Sequence, residues 1–310
     1  MNNIKLTIHT ATYNRAHTIT ETFKSLQNQT CFDFDWFITD NGSTDNTEEL
    51  FEKWCKEETR FKIHYHKIKE RGIPRALNYG INHISGNYFF MLDSDDKLLP
   101  NAVEIILNGI ASIHNNPDIV AAGFVRIKEN GEPIKGVWPK VNTKGFVECT
   151  NLERYKYNLD ADMCEAYKVE IIKNYPFSVW EDEIYAPEQL CFDAMALDGY
   201  KVRWFKDPVY VCEYLEGGQT QGSWNLLRKN KMGYAMLSNQ RLLYTKSFKE
   251  KFKSAGQHIA LSIVAGYPSY ILKSNKKWLT LLALPYGFLL SFRRREQFKW
   301  DDPINRRNFK

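Results

Sequence analysis

The chain has 310 residues, of which 43% are hydrophobic and 14% aromatic, so it can form one large domain or two with a sizeable core. Its net charge is only +5, and it lacks RNA-binding and helix-turn-helix signatures, so we expect no nucleic-acid partner. The charge is uneven, because residues 273–310 hold ten Lys and Arg against three acidic residues. This basic end suggests contact with an anionic surface.

The start of the chain, MNNIKLTIHTATYN, lacks the apolar stretch and the cleavage site of a signal peptide. Its six cysteines are scattered without metal-binding spacing, which favours reduced thiols over a disulfide framework. No run reaches the roughly 18–20 apolar residues that a membrane span needs. We therefore expect a cytoplasmic protein that, if it touches a membrane, touches the inner face of the cytoplasmic membrane.

Strands and helices alternate along the first third of the chain. Short strands are predicted at residues 5–9, 34–39, 61–66 and 88–92; those at 34–39 and 88–92 are apolar, and the one at 61–66 alternates. The helices between and after them are predicted up to residue 27, after residue 43, at 72–84 and at 101–114. This alternation predicts an α/β fold with a doubly wound, mostly parallel sheet and flanking helices. Because the carboxyl ends of parallel strands meet at one edge, the polar turns that follow three strands should meet there.

The rest of the chain divides into a β-rich part and a helical part. Residues 119–148 are predicted to be β-rich and residues 151–175 mixed, followed by a helix at 187–197. Two short strands are predicted at 200–214, on either side of Asp207-Pro208. After Gly217-Gly218 the composition favours helices at 224–244 and 248–272. We therefore place a domain boundary near residue 216, with a helical region at 217–310.

The most informative stretch is FFMLDSDDKLLP, in which an apolar strand runs into Asp93, Asp95 and Asp96. A strand that is apolar throughout is covered on both faces, and its carboxyl end lies where open α/β sheets bind ligands. Close carboxylates repel unless a cation or a ligand neutralises them, and Mg²⁺ and Mn²⁺ prefer oxygen ligands. The stretch therefore indicates a divalent metal that holds a phosphorylated ligand. The alternative is a solvated acidic turn that caps the next helix.

Three other polar residues are candidates for contact with a nucleotide. The chain has no P-loop and no GxGxxG after its first strand, so side chains would have to hold the nucleotide. Tyr13 could contact a base, Asp40 could accept hydrogen bonds from a base or a ribose, and Arg75 could reach a base or a phosphate. Each also has a purely structural interpretation: Tyr13 as a packing residue, Asp40 as a cap of its turn, Arg75 as a solvated side chain.

Four motifs, in order between about Ile4 and Thr220, resemble the inverting family 2 nucleotide-sugar glycosyltransferases with the GT-A fold. LTIHTATYNR is similar to the start of that family, and DNGSTDNT is similar to its D-D-G-S-T-D turn, with Asn41 in place of the second aspartate. GIPRALNYG resembles its G-x-x-x-A-x-N-x-G helix, and LDSDDKLLP resembles its D-x-D element. The resemblance covers roughly two-thirds of the chain and implies a catalytic domain at 1–216, with a nucleotide-sugar half to about residue 120 and an acceptor half from 121.

The resemblance also implies residue roles. Asp95, supported by Asp93, would bind Mn²⁺ or Mg²⁺ together with the diphosphate. Uridine is the expected base, with thymidine and guanosine as alternatives. The nucleotide-binding residues implied by the motifs are Ala11, Tyr13, Asp40, Arg75 and Asp93, of which Tyr13, Asp40 and Arg75 would bind the nucleoside.

A transferase of this kind needs a general base that deprotonates the acceptor hydroxyl. The family uses an aspartate of an E-D pair at the start of a helix, and this chain offers WEDEIYAPEQLCFDAM, residues 180–195. Glu188, at the predicted helix start, is our candidate, with Asp182 and Glu183 as alternatives. The structural interpretation of Glu188 is an acidic residue that interacts with the positive end of the helix dipole.

A second departure from the family lies in a late loop where many members place a histidine. The corresponding stretch, PVYVCEYLEGGQT, has Leu215 near that position and no histidine. The diphosphate would instead contact Thr220, Gln221 or Arg228.

Residues 278–292 are mostly apolar and are flanked by Lys276-Lys277 and by residues 293–295, which are all arginine. At about 15 residues this segment is too short to span a bilayer comfortably. We expect it to make peripheral contact with an anionic membrane surface. The alternative is a core helix that docks on the catalytic domain.

Together these features predict a metal-dependent, inverting glycosyltransferase. It would move a sugar from a nucleotide-diphosphate donor, UDP-sugar by default, to a hydroxyl of a glycan or lipid-linked acceptor in polysaccharide or glycoconjugate biosynthesis. One rival is a catalytically silent nucleotide-sugar binder. Another is a nucleotidyltransferase, which would normally carry a basic, glycine-rich loop near its N-terminus.

Overall fold

The computed structural model describes residues 5–212 and 223–299. Within them the chain forms two compact units, one made of residues 5–176 and 192–212 and the other of residues 177–191 and 223–299. The segment with the candidate bases, residues 182–188, therefore belongs to the second unit. None of the six cysteines forms a disulfide, as their spacing predicted.

The first unit is built on one central sheet with nine strands. In chain order the strands are β1 (Leu6–Thr12), β2 (Phe34–Asp40), β3 (Lys62–Lys67), β4 (Tyr88–Met91), β5 (Lys97–Leu98), β6 (Ile119–Ile127), β7 (Phe146–Cys149), β8 (Met163–Lys168) and β9 (Lys201–Val211). Their order across the sheet is β3-β2-β1-β4-β8-β6-β9-β5, and β7 also pairs with β9.

Helices flank this sheet and form the second unit. Those that begin in the first unit are α1 (Ile19–Gln27), α2 (Thr47–Glu57), α3 (Ile73–His83), α4 (Ala102–Ile113), α5 (Val169–Ile172) and a 3₁₀ helix, Asn151–Tyr157. Helix α6 (Gln189–Leu197) runs from the second unit into the first. The others are α7 (Ser223–Lys229), α8 (Lys231–Tyr244), α9 (Phe248–Val264), a 3₁₀ helix at Pro268–Lys273, and α10 (Lys277–Gln297).

The first half of the sheet confirms the predicted parallel arrangement. β1 pairs in parallel with β2 and β4, and β2 with β3. The buried aromatic side chains of β4 confirm that it is a central strand. Thr12 lies opposite Asp40 and His9 opposite Met91, so the ends of β1, β2 and β4 form one edge.

The second half of the sheet is mixed rather than parallel. β8 runs antiparallel to both of its neighbours, β4 and β6, and β9 is antiparallel to β5 and β7 but parallel to β6. The apolar pattern of these segments shows that they are strands, but it does not specify the direction in which they pair. The fold is therefore mixed α/β with a central sheet and flanking helices.

Two predicted elements differ from the observed ones for identifiable reasons. The two strands expected around Asp207-Pro208 are one strand, β9, because register shifts in the β6–β9 ladder accommodate Pro208 opposite Val125. The helix expected at 224–244 is interrupted at Asn230, whose side-chain oxygen accepts hydrogen bonds from the amides of Ile184 and Tyr185.

The core of the second unit is the packing of α9 against α8 and α10. A Cβ on Gly256 would lie 2.3 Å from the Tyr286 ring, and one on Gly287 would lie 2.6 Å from Ile259, so both glycines allow α9 and α10 to approach closely. Helix α9 ends before Gly266, which has a φ of 85°, and Pro268. Within residues 5–212 and 223–299, no helix combines the length and the apolar character required to cross a bilayer.

Candidate functional site

The carboxyl ends of β1, β2 and β4 carry most of the predicted nucleotide-binding residues. Ala11 lies within β1 and Tyr13 directly follows it, while Asp40 is the last residue of β2. Asp93 follows β4 by two residues. The parallel pairing of these strands therefore brings together turns that are far apart in the sequence.

Asp40 is fully buried and organises the turn that follows β2. Its Oδ1 accepts hydrogen bonds from the amide of Ser43 over 2.8 Å and from the hydroxyl of Ser43 over 2.7 Å. Its Oδ2 accepts a hydrogen bond from the hydroxyl of Tyr65 on β3. Burial is the main cause of a raised pKa at Tyr65, and the Asp40 carboxylate raises it further. Asp40 thus has the structural role considered for it, and contact with a ligand stays a prediction.

The side-chain amide of Asn41 links Thr12, at the end of β1, to Gly72, directly before α3. Nδ2 donates to the carbonyl of Thr12 over 3.3 Å, and Oδ1 accepts from the amide of Gly72 over 3.2 Å. An aspartate could accept from Gly72 but could not donate to Thr12. In the sequence, Asn41 appeared only as a departure from the aspartate of the family turn. The structure shows that an asparagine at this position makes a contact that an aspartate could not make.

The GIPRALNYG motif is explained by the packing of α3 on β1. Gly72 has a φ of 137°, which favours glycine, and Ala76 is completely buried. A Cβ on Gly80 would lie 2.3 Å from the ring of His9, so only glycine lets the helix approach the strand this closely. The motif therefore fixes the position of Arg75, in the first turn of α3.

Arg75 and Tyr13 are both engaged with residues that precede α3. Arg75 donates from Nη1 to the carbonyl of Arg71 over 3.0 Å, and its Nε lies 3.6 Å from a carboxylate oxygen of Glu70. The guanidinium carbon of Arg71 lies 3.9 Å from the centroid of the Tyr13 ring. Sequence reasoning missed Arg71, because only the fold places it over an aromatic ring.

Asp93 is held by two residues from distant strands. Arg126, on β6, donates from Nη1 to Oδ2 of Asp93 over 3.2 Å, and the Tyr210 hydroxyl, on β9, donates to the same oxygen over 3.1 Å. The Asp93 amide in turn donates to the Tyr210 oxygen over 2.9 Å. Even so, 59% of the Asp93 side chain is exposed, so it remains open to a ligand.

Asp95 lies two residues further on and faces Arg15, whose Nη2 is 3.8 Å from Oδ2 of Asp95. Burial raises the pKa of Asp95, the Asp93 charge raises it further, and the Arg15 charge opposes both. Burial, together with the Asp93 charge, raises the pKa of Asp96 to about 7. The turn therefore concentrates negative charge that is incompletely compensated by the protein.

The three candidate bases have different surroundings within the second unit. Glu188 is half-buried and directly precedes α6. Asp182 is exposed and lines an open pocket of about 500 Å³. Glu183 is buried, and its carboxylate accepts hydrogen bonds from the first turn of α8, at 2.6 Å from the Met232 amide and 3.0 Å from the Gly233 amide. Burial nevertheless raises the pKa of Glu183.

The residues proposed to replace a histidine at the diphosphate are only partly described. Arg228 lies near the end of α7 and lines the same pocket as Asp182. Thr220, Gln221 and Leu215 lie outside the described residues.

A sequence model of glycosyl transferase family 2 matches residues 7–175, just over half of the chain. The chain belongs to glycosyl transferase family 2. The match includes the four motifs except for Leu6, the first residue of the first motif, so the predicted family is confirmed.

Among curated family 2 relatives, the chain is 28% identical over 135 residues to GalNAc(5)-diNAcBac-PP-undecaprenol beta-1,3-glucosyltransferase of Campylobacter jejuni. The aligned part is 42% of this chain and 44% of that relative, so the chain spans less than half of the relative's length.

Solved structures support the GT-A fold for this family 2 chain. S. aureus TarS 1-349 in complex with UDP-GlcNAc has a TM-score of 0.59 and 17% identity, and the match covers 92% of this chain and 80% of that one. The mannosyltransferase PcManGT from Pyrobaculum calidifontis, in complex with GDP-Man and Mn²⁺, has a TM-score of 0.51 and 16% identity, with 96% and 83% covered. At these identities the likeness concerns the fold alone.

The aspartate turn of this family 2 chain fits a cation that arrives with phosphates. Among the described residues, no three His, Cys, Asp or Glu side chains form a complete metal cage. Mg²⁺ and Mn²⁺ in phosphoryl sites commonly use only one or two protein carboxylates and complete their shell with phosphate and water. Asp93 and Asp95 are hard oxygen donors on one turn, and 59% and 29% of their side chains are exposed, which suits that mode of binding.

Proposed function

We propose that the protein is an inverting glycosyltransferase that moves a sugar from a nucleoside-diphosphate sugar to a hydroxyl of a glycan or lipid-linked acceptor. The observation that carries this proposal is the aspartate turn after β4. It presents two partly exposed carboxylates at the same sheet edge as Tyr13 and Asp40. Family 2 membership supports the proposal, since the turns that follow β1, β2 and β4 lie inside the matched region.

The donor would lie along the carboxyl edge of β2, β1 and β4. Tyr13, Ala11 and Arg75 would contact the nucleoside, while the buried Asp40 would fix the turn through its hydrogen bonds with Ser43. Asp93 and Asp95 would hold Mn²⁺ or Mg²⁺ against the diphosphate. When bound, the cation would neutralise charge on the departing nucleoside diphosphate. Arg126 and Tyr210 would keep Asp93 oriented toward it.

UDP is the nucleotide that we propose, with thymidine and guanosine diphosphates as the alternatives. The S. aureus structure holds UDP-GlcNAc and the Pyrobaculum calidifontis structure holds GDP-Man, so both bases occur on this fold. The base therefore has to be identified by binding.

Glu188 is the general base in this proposal. Glu188 is favoured over Glu183 because it is less buried. A carboxylate that removes the proton from the acceptor hydroxyl allows direct attack on the anomeric carbon from the side opposite the leaving diphosphate. Inversion of the anomeric configuration follows from that geometry.

The acceptor assignment is supported by the Campylobacter jejuni relative, whose name describes a glycan on an undecaprenyl diphosphate. We propose an acceptor of the same class, a glycan or a lipid-linked glycan in polysaccharide or glycoconjugate assembly. A lipid-linked acceptor would place this protein in the cytoplasm, at the inner face of the cytoplasmic membrane.

Differential scanning fluorimetry tests the donor site. UDP, dTDP, GDP and their sugars would be added to the wild-type protein and to Asp95→Asn, each with and without MnCl₂. A ligand that binds only the folded protein raises the melting temperature through mass action. We expect one nucleoside diphosphate to stabilise the wild type in a manganese-dependent way and to have little effect on Asp95→Asn. Asp118→Asn, which changes an exposed aspartate outside the site, should respond like the wild type.

A turnover assay then separates an enzyme from a silent binder. Release of nucleoside diphosphate from the sugar that shifts the melting temperature, in the presence of lipid-linked acceptor, supports transfer. Binding without release under those conditions would favour the silent binder. An absence of any shift with all nucleotides would contradict the proposed donor site itself.

A further inference from the structure

Helix α10 has one packed face and one exposed apolar face. Its packed side chains include Leu279, Ala283 and Ser291, all nearly inaccessible to solvent. On the opposite side, exposed apolar side chains are spaced three, four or seven residues apart, as the side chains of one helical stripe are. The exposed fractions of these side chains are 63% for Trp278, 68% for Leu281, 56% for Leu282, 54% for Phe288, 69% for Leu289 and 50% for Phe292. We call this stripe the outer face of α10.

The start of α9 extends the apolar surface beyond α10. Phe248 is 58% exposed, and its ring lies 6.3 Å from that of Phe252. The Phe252 ring in turn lies 5.5 Å from the ring of Tyr286, which is 39% exposed. Soluble proteins rarely expose contiguous apolar surface of this extent unless it binds a partner or a membrane.

Cations border the outer face at both ends. Lys277 is exposed at the start of α10, and Arg293 and Arg295 are exposed near its end. Arg294, by contrast, turns inward and donates to Gln257 on α9 over 3.1 Å. The acidic residue in the last turn, Glu296, is bound by Lys299 at 2.7 Å. The border is therefore positive on either side of an uncharged stretch.

This charge pattern selects between two kinds of occupant. A second copy of α10 would bring cations against cations in either orientation, because both ends of the helix are basic. An anionic lipid surface complements both ends at once and accepts the aromatic and aliphatic side chains between them. The charge distribution therefore favours a bilayer over a dimer.

The length of the apolar stretch defines how the helix would lie. About 15 residues between the flanking cations correspond to roughly 22 Å of helix, less than the roughly 30 Å thickness of a hydrocarbon core. A helix with one face packed on its own protein cannot cross a bilayer without exposing that packing. An orientation in the plane of the headgroups keeps the packed face on the protein and lets the outer face contact the lipid.

We propose that the outer face of α10, together with Phe248, docks the protein in the plane of an anionic phospholipid bilayer. Leu281 and Leu289 would enter the acyl boundary, and Lys277, Arg293 and Arg295 would contact lipid phosphates. The surface is defined by α9 and α10 alone, so this inference stands apart from the donor site and from its test.

Vesicle flotation of the full chain tests the proposal. Phosphatidylcholine vesicles would be compared with vesicles that also contain phosphatidylglycerol, at low and high salt. The wild-type protein should float with the anionic vesicles, float poorly with the neutral ones, and be released in part by salt. Leu281→Gln/Leu289→Gln should weaken binding by at least about tenfold, and Arg293→Gln/Arg295→Gln should remove most of the dependence on phosphatidylglycerol.

Controls keep this test decisive. The altered leucines are largely exposed, so the thermal unfolding of the double variant should match the wild type. Val137→Gln/Tyr155→Gln removes two exposed apolar side chains from the first unit and should float like the wild type. Flotation that is unaffected by Leu281→Gln/Leu289→Gln would overturn the proposal. So would a wild-type dimer, in size-exclusion chromatography with light scattering, that these substitutions dissociate.

Discussion

Arg126 donates a hydrogen bond from Nη1 to Oδ2 of Asp93 over 3.2 Å, although 33 residues separate them in the chain. The same guanidinium donates from Nε to the carbonyl of Met163 over 3.0 Å and packs 4.2 Å from the centroid of the Tyr210 ring. Arg126 is thus fixed on three sides, and it fixes the orientation of an aspartate at the proposed diphosphate site.

Replacing Arg126 by lysine should impair the aspartate turn while the positive charge is kept. Lysine is a point charge that cannot reproduce the planar, forked donor set that reaches Asp93 and Met163 together. Changes to residues that orient a metal ligand typically cost about 10–100-fold in affinity or activity. We therefore expect the manganese concentration needed for nucleotide-induced stabilisation, measured by fluorimetry, to rise by about 10–100-fold.

Arg203→Lys provides the matched control for Arg126→Lys, since Arg203 also binds a carboxylate, Glu148, but away from the aspartate turn. Its manganese requirement should equal that of the wild type. An unchanged requirement in Arg126→Lys would show that Asp93 does not depend on this contact.

Replacing Asn41 by aspartate should destabilise the protein, even though aspartate is the family-typical residue. The substitution removes the side-chain donor to the Thr12 carbonyl, which keeps its hydrogen bond from the Asn41 backbone amide, and places a carboxylate oxygen against that carbonyl in a buried position. The expected cost is about 1–3 kcal/mol in the free energy of unfolding, measured by urea denaturation. Asn130→Asp should be nearly neutral, because the exposed Asn130 side chain accepts from the Glu132 amide and aspartate can do the same. Equal stability of Asn41→Asp and the wild type would contradict this account.

Replacing Gly80 by alanine should force α3 away from β1. The new Cβ would lie 2.3 Å from the imidazole of His9, which is buried between Phe37 and Phe89 and has no room to shift. Overpacking of this kind costs about 1–3 kcal/mol, and we expect a lower urea midpoint together with weaker nucleotide binding, since Arg75 is on the displaced helix. Asn82→Ala, on the exposed side of α3, should leave nucleotide binding intact.

His9 should make stability depend on pH. Burial lowers its pKa from 6.5 to about 3, so the folded protein keeps the ring neutral while the unfolded chain binds a proton below pH 6.5. The stability that depends on neutral His9 is therefore present above pH 6.5 and is lost as the pH falls toward 3. Between pH 7 and pH 5 the loss should be about 2 kcal/mol.

The His9 contribution has to be measured as a difference between two proteins. Asp96, with its pKa raised to about 7, has the opposite sign, because its protonated form is favoured in the folded state and stabilises as the pH falls. Urea unfolding of the wild type and of His9→Gln is therefore compared at pH 7 and at pH 5. The Asp96 contribution is the same in both proteins and cancels in the difference. The gap between the two proteins should narrow by about 2 kcal/mol at the lower pH; a constant gap would rule out His9 as the source.

Glu188→Gln should reduce turnover, whereas Glu183→Gln should reduce the stability of the free protein. If Glu188 is the base, Glu188→Gln should reduce turnover by about 10²–10⁴-fold while the melting temperature still rises with the nucleotide sugar. Glu183→Gln should instead lower the melting temperature of the free protein. The two Glu183 oxygens accept separately from the Met232 and Gly233 backbone amides, and the nitrogen that replaces one oxygen in glutamine cannot accept. Full turnover in Glu188→Gln would transfer the assignment to Asp182.

The sequence by itself determined the features that depend on local physics. An uninterrupted apolar run ending in aspartates identified β4 as a central strand, because side-chain burial on both faces leaves a direct trace in composition. GIPRALNYG was recognisable as one of four motifs, and the four motifs in order identified the family. The basic, apolar stretch at 276–295 was visible in the same way.

Only the tertiary structure decided which side chains support these motifs. Tyr210 contacts Asp93 although 117 residues separate them. Tyr65 donates to Asp40 from the neighbouring strand, and Asn41 accepts from the amide of Gly72. It also decided that β8 runs antiparallel and that one face of α10 is packed while the other is open. The physical reason is that hydrogen bonds and packing across a sheet depend on pairing direction and register, which the hydrophobic pattern of one strand does not encode.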